Sequence, residues 1–248
     1  MGLTSWVLRH PPVPEDVPET GLQTISPSAR RGGESAPPVT GPAPNPGSPA
    51  PAAEISELPW PALEAAVSGC EACELHRHRT QTVFGVGSHT ARWLFIGEAP
   101  GVEEDRRGEP FVGRAGQLLD AMLAALGLNR QQVFIANVLK CRPPGNRDPR
   151  PEESRACAPY LDRQIELIDP GVIVALGRIS AQQLLGSDKP LGSLRGRVHQ
   201  LGPDNRPLVV TYHPAYLLRQ PSQKARAWED LLLARRLPAP DTGSDERG

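Results

Sequence analysis

The sequence predicts an α/β fold, a three-layer α/β/α arrangement around a four-stranded, mostly parallel central sheet. Two observations lead there. Four short apolar runs, Arg92–Gly97, Gln132–Leu139, Gly171–Leu176 and Pro207–Tyr212, recur along the chain with helical patterns between them. Each run is apolar nearly throughout rather than at every second residue, the pattern of strands buried on both faces.

Taken in order, the elements begin late. Twelve prolines stand between Pro11 and Pro51, interspersed with Gly, Ser and Ala. Such a segment buries too little apolar surface to offset its conformational entropy, so residues 1–57 are expected to be a disordered tail. Pro61 to Val67 reads as a short helix leading to Cys70. Arg92–Gly97 (RWLFIG) is the first strand. In the helix from Gly113 to Leu126, Leu118, Leu119, Met122, Leu123 and Leu126 fall at helical spacing, and Gly127 is its stop. Gln132–Leu139 is the second strand. Pro151 to Ile168 is a helix, with Pro151 in its first turn and Glu152 and Glu153 at the positive end of its dipole. Gly171–Leu176, a short helix over Arg178–Leu185, Pro207–Tyr212 and a closing helix over Lys224–Leu237 complete the domain. Residues 238–248 again read as a tail. A single domain over 58–237 has an ordinary size for a full core.

The whole chain carries a net charge of −1, yet Leu58–Leu237 holds 23 Lys and Arg against 19 Asp and Glu, or +4. This mild excess permits a nucleic-acid face without requiring one. The N-terminus lacks the apolar stretch of an export signal, and no apolar run approaches the roughly 20 residues of a membrane helix. A soluble cytoplasmic protein is expected.

In parallel sheets, ligands gather at the carboxyl ends of the strands. There the first strand runs into Gly97-Glu98-Ala99-Pro100-Gly101, the second into Asn137 and Lys140-Cys141-Arg142, and the fourth into His213-Pro214. A carboxylate, an amide and an imidazole are thus expected at one sheet edge. Each has an ordinary reading on its own: an acidic surface loop, a turn asparagine, a structural histidine.

The chain has four cysteines, Cys70, Cys73, Cys141 and Cys157. The first two form C-x2-C, a spacing that lets two thiolates meet one centre. Four thiolates suit a zinc ion or an iron–sulfur cluster, and spacing does not choose between them. Disulfides are disfavoured without a secretory signal. A thioredoxin-like role fits poorly, because this C-x2-C follows a helix and precedes a polar segment.

The order C-x2-C, GEAPG, PFVGRAG, NVLKCRPPGNRDP, a fourth cysteine and HPAYLLR resembles the family 4 uracil-DNA glycosylases over Leu58 to Leu237. The resemblance implies a uracil-DNA glycosylase-like sheet and a repair enzyme that flips uracil out of single- or double-stranded DNA and hydrolyses its bond to the sugar. It implies a [4Fe-4S] cluster on Cys70, Cys73, Cys141 and Cys157, with zinc as the alternative. It places Ala99 in the loop over the base, where some relatives carry Gly. Phe111 would stack on uracil, and Asn137 would pair with O4 and N3–H. His213 would donate to O2 as charge develops there. Glu98 and Glu104 are both candidates for the carboxylate beside the sugar and water.

Leu217 is expected to fill the gap left by the flipped base, with Tyr216 and Leu218 as competitors. Arg142, together with Arg147 and Arg150, would meet phosphates, and the cluster would hold their loop rigid. Uracil-containing DNA is the expected partner of a monomer. Two rival readings remain at this level. A covalent uracil trap would need a basic insertion with a reactive His, and CRPPGNRDPRPEES contains none. A non-catalytic metal-bearing DNA-binding module would leave Glu98, Asn137 and His213 without a task.

Overall fold

The protein is described here by a computed structural model covering residues 52–238. Its elements run α1 (Ala52–Ile55), α2 (Trp60–Ser68), β1 (Val86–Gly87), β2 (Trp93–Gly97), α3 (Val102–Arg107), α4 (Arg114–Ala125), β3 (Val133–Asn137), α5 (Pro151–Ile168), β4 (Val172–Leu176), α6 (Arg178–Leu185), α7 (Leu191–Leu194), β5 (Val198–Leu201), β6 (Arg206–Thr211), α8 (Pro214–Arg219) and α9 (Lys224–Arg235). The sheet order is β1-β3-β2-β4-β6-β5. The four central strands are the four apolar runs, and they pair in parallel. The sheet is wider than the expected four strands: β1 and β5 add antiparallel edges. Neither carried a readable signal. β1 has two residues, and β5 (VHQL) alternates between exposed and half-buried positions without a buried face.

Every residue of β2, β3 and β4 is buried, and alternate residues serve opposite faces. Leu94, Ile96, Phe134, Ala136, Ile173 and Ala175 pack with residues of α2 and α5 on one side. Phe95, Ile135 and Val174 pack with Leu119 and Leu123 of α4 and Leu231 of α9 on the other. The continuous apolar runs are therefore the direct cause of the three layers.

The expected tails fall mostly outside the described residues. The boundary at residue 57 needs correction, because α1 forms and Ile55, only 3% exposed, joins the core layer containing α5. A lone isoleucine after a proline-rich run carries no periodicity, so its burial could not be read from pattern. No described helix is long and apolar enough to cross a membrane.

Gly97 at the end of β2 pairs with Asn137 at the end of β3, and Leu176 of β4 with Thr211 of β6. From β2 the chain crosses to β3 on one side, and from β4 it proceeds to β6 on the other. The strand order reverses between β2 and β4, and a crevice opens there beyond the strand ends.

Ile55→Ala is expected to lower unfolding stability by about 2 kcal/mol, the low end for a buried isoleucine truncated to alanine. Urea unfolding of the full chain measures this. An effect under roughly 0.5 kcal/mol, the range of ordinary surface substitutions, would return residue 55 to the tail.

Candidate active site

The crevice is a cleft of about 440 Å³ walled by the loop 98–101, Phe111, Asn137, His213 and residues of α8. Its floor is Gly97. A Cβ there would overlap the Asn137 side-chain oxygen and the Phe111 ring, so only glycine lets both side chains meet over the strand end. Asn137 is buried, and its Oδ1 has no hydrogen-bond partner among the described residues. A buried acceptor of that kind is costly unless a ligand completes it.

Phe111 sits at φ 56, in the left-handed region that non-glycine residues rarely occupy. Arg130 holds it there, donating to the Pro110 carbonyl at 3.0 Å and also to the Phe111 carbonyl, while Asp120 accepts from its Nε at 2.7 Å. Gly116 packs so closely on the Phe111 carbonyl that a Cβ would overlap it. The ring is thereby fixed 5.5 Å from the His213 ring, at 30° between planes.

His213 is the N-cap of α8, and its Nδ1 accepts the Ala215 N–H at 3.1 Å. That bond requires an unprotonated Nδ1, so in the neutral ring the proton resides on Nε2. Burial, then the nearby Arg219 charge, push the imidazole pKa down to about 4, against a small opposing pull from Glu104. His213 is therefore neutral near pH 7, with Nε2–H as its donor. Gly177, at φ 97 after β4, lies where a Cβ would come within 3.0 Å of the His213 Cβ.

The two carboxylates prove unlike. Glu104 accepts from the N–H groups of Gly101 (3.1 Å), Val112 (2.9 Å) and Gly113 (3.0 Å). Both its oxygens are thus engaged by backbone. Glu104 thereby ties the loop after β2 to the Phe111 turn, and it also lines the cleft. Glu98 accepts no side-chain hydrogen bond among the described residues. Burial, then the charge of Asp148, raise its pKa to about 7 despite Arg178. Ala99 lies in the cleft wall.

Leu217 is 1% exposed and lines an apolar groove with α4 and α9, rather than standing at the surface as a wedge would. Its position on α8 turns it inward. Its neighbour Leu218 is 37% exposed. Arg142 is half-buried on the loop after β3, its Nε donating to Asn146 Oδ1 at 2.7 Å. Arg147, in contrast, is committed to Glu153 through two bonds of 2.8 and 2.5 Å.

All four cysteines are free and line one pocket, with apolar walls from Val67, Leu75 and Leu139. Burial raises the thiol pKa values of Cys73 and Cys141 and pushes that of Cys157 up to about 12. Two donors reach the sulfurs: Arg79 donates to Cys141 Sγ at 3.2 Å and the Lys140 N–H to Cys157 Sγ at 3.3 Å. The buried Lys140 ammonium donates onward to the Asn137 carbonyl (3.0 Å) and Gln164 Oε1 (2.6 Å). Among the described residues, no three His, Cys, Asp or Glu side chains stand as a group that could hold a single metal ion. Sequence reasoning gave no role to Arg79, Arg130 or Lys140, whose partners lie far along the chain or are backbone carbonyls and sulfurs that only the fold brings near.

An aromatic at positive φ, a neutral histidine and a buried amide oxygen without a partner among the described residues line one cleft of an α/β protein that also carries a four-cysteine pocket. The uracil DNA glycosylase superfamily model matches residues 84–232. The chain is 47% identical to the type-4 uracil-DNA glycosylase of Archaeoglobus fulgidus, over 62% of this chain and 81% of that protein. It is 47% identical to that of Thermotoga maritima, over 64% and 83%. A type-5 uracil-DNA glycosylase of Thermus thermophilus is 34% identical over 60% and 74%. The chain belongs to the uracil-DNA glycosylase superfamily, in its type-4 branch.

The two carboxylates should separate by stability. Glu104→Gln cannot accept all three backbone N–H groups and is expected to cost about 1–3 kcal/mol in urea unfolding. Glu98 behaves oppositely. Its folded pKa is raised, so above pH 7 the ionised form burdens the fold. Glu98→Gln at pH 8 should be neutral or stabilising. The reverse ranking would exchange their roles.

Proposed function

We propose that this protein removes uracil from DNA by hydrolysing the bond between N1 of the base and C1′ of the sugar, leaving an abasic site. The observation carrying this reading is the convergence of Asn137, Phe111 and His213 in one cleft. A duplex hides the bond, so the nucleotide must be extruded into the cleft. Phe111 stacks on the base. Asn137 Oδ1 accepts N3–H and its amide donates to O4. Cytosine presents an acceptor at N3 and a donor at N4, the reverse pattern, and would leave the buried Oδ1 facing a lone pair.

As the N1–C1′ bond breaks, its electron pair moves onto the base and charge develops at O2. The Nε2–H of neutral His213 donates there, a fixed dipole aimed at a developing anion. Glu98 stabilises the positive sugar, and its carboxylate accepts a proton from the water that attacks C1′. Arg142 meets phosphate, and Leu218 fills the vacated stack.

The cysteine pocket fits a [4Fe-4S] cluster. Four free thiols around one pocket, with no other cysteine in the chain, form a soft donor set, and burial makes Cys73, Cys141 and Cys157 costly as thiolates unless a metal compensates. Cys70, Cys73, Cys141 and Cys157 would hold it, with Arg79 and the Lys140 N–H donating to ligating sulfurs. A cluster bound there would tie the segment after α2, the loop after β3 and α5 to one centre. Cys157→Ala should lose iron and acid-labile sulfide together and lower thermal stability; a variant with full iron would refute the ligand set.

Release of uracil from single- and double-stranded oligonucleotides tests the activity. Repeated turnover separates an enzyme from a covalent trap. His213→Asn, which keeps a capping acceptor for α8 but removes the donor, should slow single-turnover excision by roughly 10²–10³ while retaining affinity for an uncleavable analogue. The excision rate should fall as pH drops through about 7, where Glu98 takes up its proton, and His213, titrating near 4, should add nothing above pH 5. Glu98→Gln should be slow and flat across this range. An acid limb that survives in Glu98→Gln would assign it to another group.

A further inference from the structure

We propose that Tyr216, backed by Tyr212 and Arg195, is a stacking subsite for a DNA base adjoining the flipped uracil. This rests on DNA as the substrate and extends the cleft beyond the excised base. Tyr216 lines the cleft on the wall formed by α8 and is half-buried. The following residue, Leu217, packs away toward α4 and α9. The Tyr216 ring stacks on Tyr212, with centroids 5.0 Å apart and 24° between planes. The Arg195 guanidinium carbon lies 4.0 Å from the Tyr212 ring centroid.

Arg195 is itself immobilised. Its Nε donates to Asp230 at 2.8 Å and a terminal nitrogen to the Arg226 carbonyl at 2.7 Å. Asp230 is buried and also accepts the Gly196 N–H at 3.2 Å. A buried ion pair holds together only with good geometry, and this one fixes a cation over an aromatic face. The result is a rigid three-layer stack whose last member borders the cleft.

The chemistry of extrusion supplies the ligand. When a nucleotide leaves the stack, its neighbour loses a stacking face. An aromatic ring beside the cleft can replace it, and does so for any base because every base has a π-face. Phe111 and His213 occupy the cleft beside the excised base. Tyr216 is one turn along from the cap residue His213, on the same helix as the exposed Leu218 and Arg219.

The test measures affinity of the full chain for single-stranded oligonucleotides containing one uncleavable uracil analogue. The base on each side is in turn a purine or a tetrahydrofuran abasic unit. Wild type should weaken roughly tenfold when one particular flank loses its base, within the range for one base–aromatic stack. Tyr216→Leu should bind the base-flanked strand about as weakly as wild type binds the abasic-flanked one, and should ignore the flank. Tyr216→Phe, which keeps the ring, should retain the flank dependence. If Tyr216→Leu does not fold, Tyr216→Met carries the same reading. Wild-type affinity indifferent to both flanks, or a folded Tyr216→Leu with full flank dependence, overturns the proposal. Failure of the excision reading would show separately, as no uracil released from any strand.

Discussion

Three backbone N–H groups from two different loops converge on the single carboxylate of Glu104. One loop follows β2 and carries Glu98 and Ala99. The other carries Phe111 and opens α4 at Gly113. Without this tie, both would be surface connections with unpaired backbone donors beside a solvent-filled crevice. With it, the cleft has two walls at a set distance. A carboxylate suits the task because it offers two oxygens and no donor, and charge-assisted bonds to backbone N–H groups are stronger than neutral ones. The strained backbone of Phe111 persists on the same terms. Its φ of 56 is held by Arg130 from outside and by Glu104 at the next residue, so that strain is spread over several contacts.

The cysteine pocket and the cleft are separate cavities joined by short polar routes. One runs from Cys157 Sγ to the Lys140 N–H and from the Lys140 ammonium to the Asn137 carbonyl. The other runs from Cys141 Sγ to Arg79, then through Thr80, whose N–H and hydroxyl both donate to Asp105 beside Glu104. The four-cysteine site therefore sits where rigidity matters to the residues that would read the base. Burial pushes the Lys140 pKa down to about 8, opposed by the neighbouring thiols, which is the expected response of an ammonium away from water.

Histidine and carboxylate are tuned in opposite directions by the same physical cause. Desolvation disfavours charge, lowering the pKa of His213 and raising that of Glu98. The cleft thus holds a neutral imidazole and a carboxylate that changes charge near pH 7. The capping bond from Ala215 adds the tautomer, which neither burial nor sequence position would set.

Sequence alone determined the layered fold, the four parallel strands and the strand ends at which Glu98, Asn137 and His213 gather. These follow from period and apolarity, which are local properties: a run apolar on both faces has to lie between two layers. The four-cysteine set and the order of motifs were legible for the same reason, since each is a short string. Tertiary structure decided what depends on direction. Leu217 and Leu218 are adjacent leucines on one helix, and only packing against α4 and α9 turns the first inward. Glu98 and Glu104 are alike on paper, and they part company because three backbone donors happen to face one of them. The edge strands β1 and β5 and the burial of Ile55 likewise carry no periodic signal. Their stability comes from partners far along the chain, and a residue's partners are not written in its neighbours.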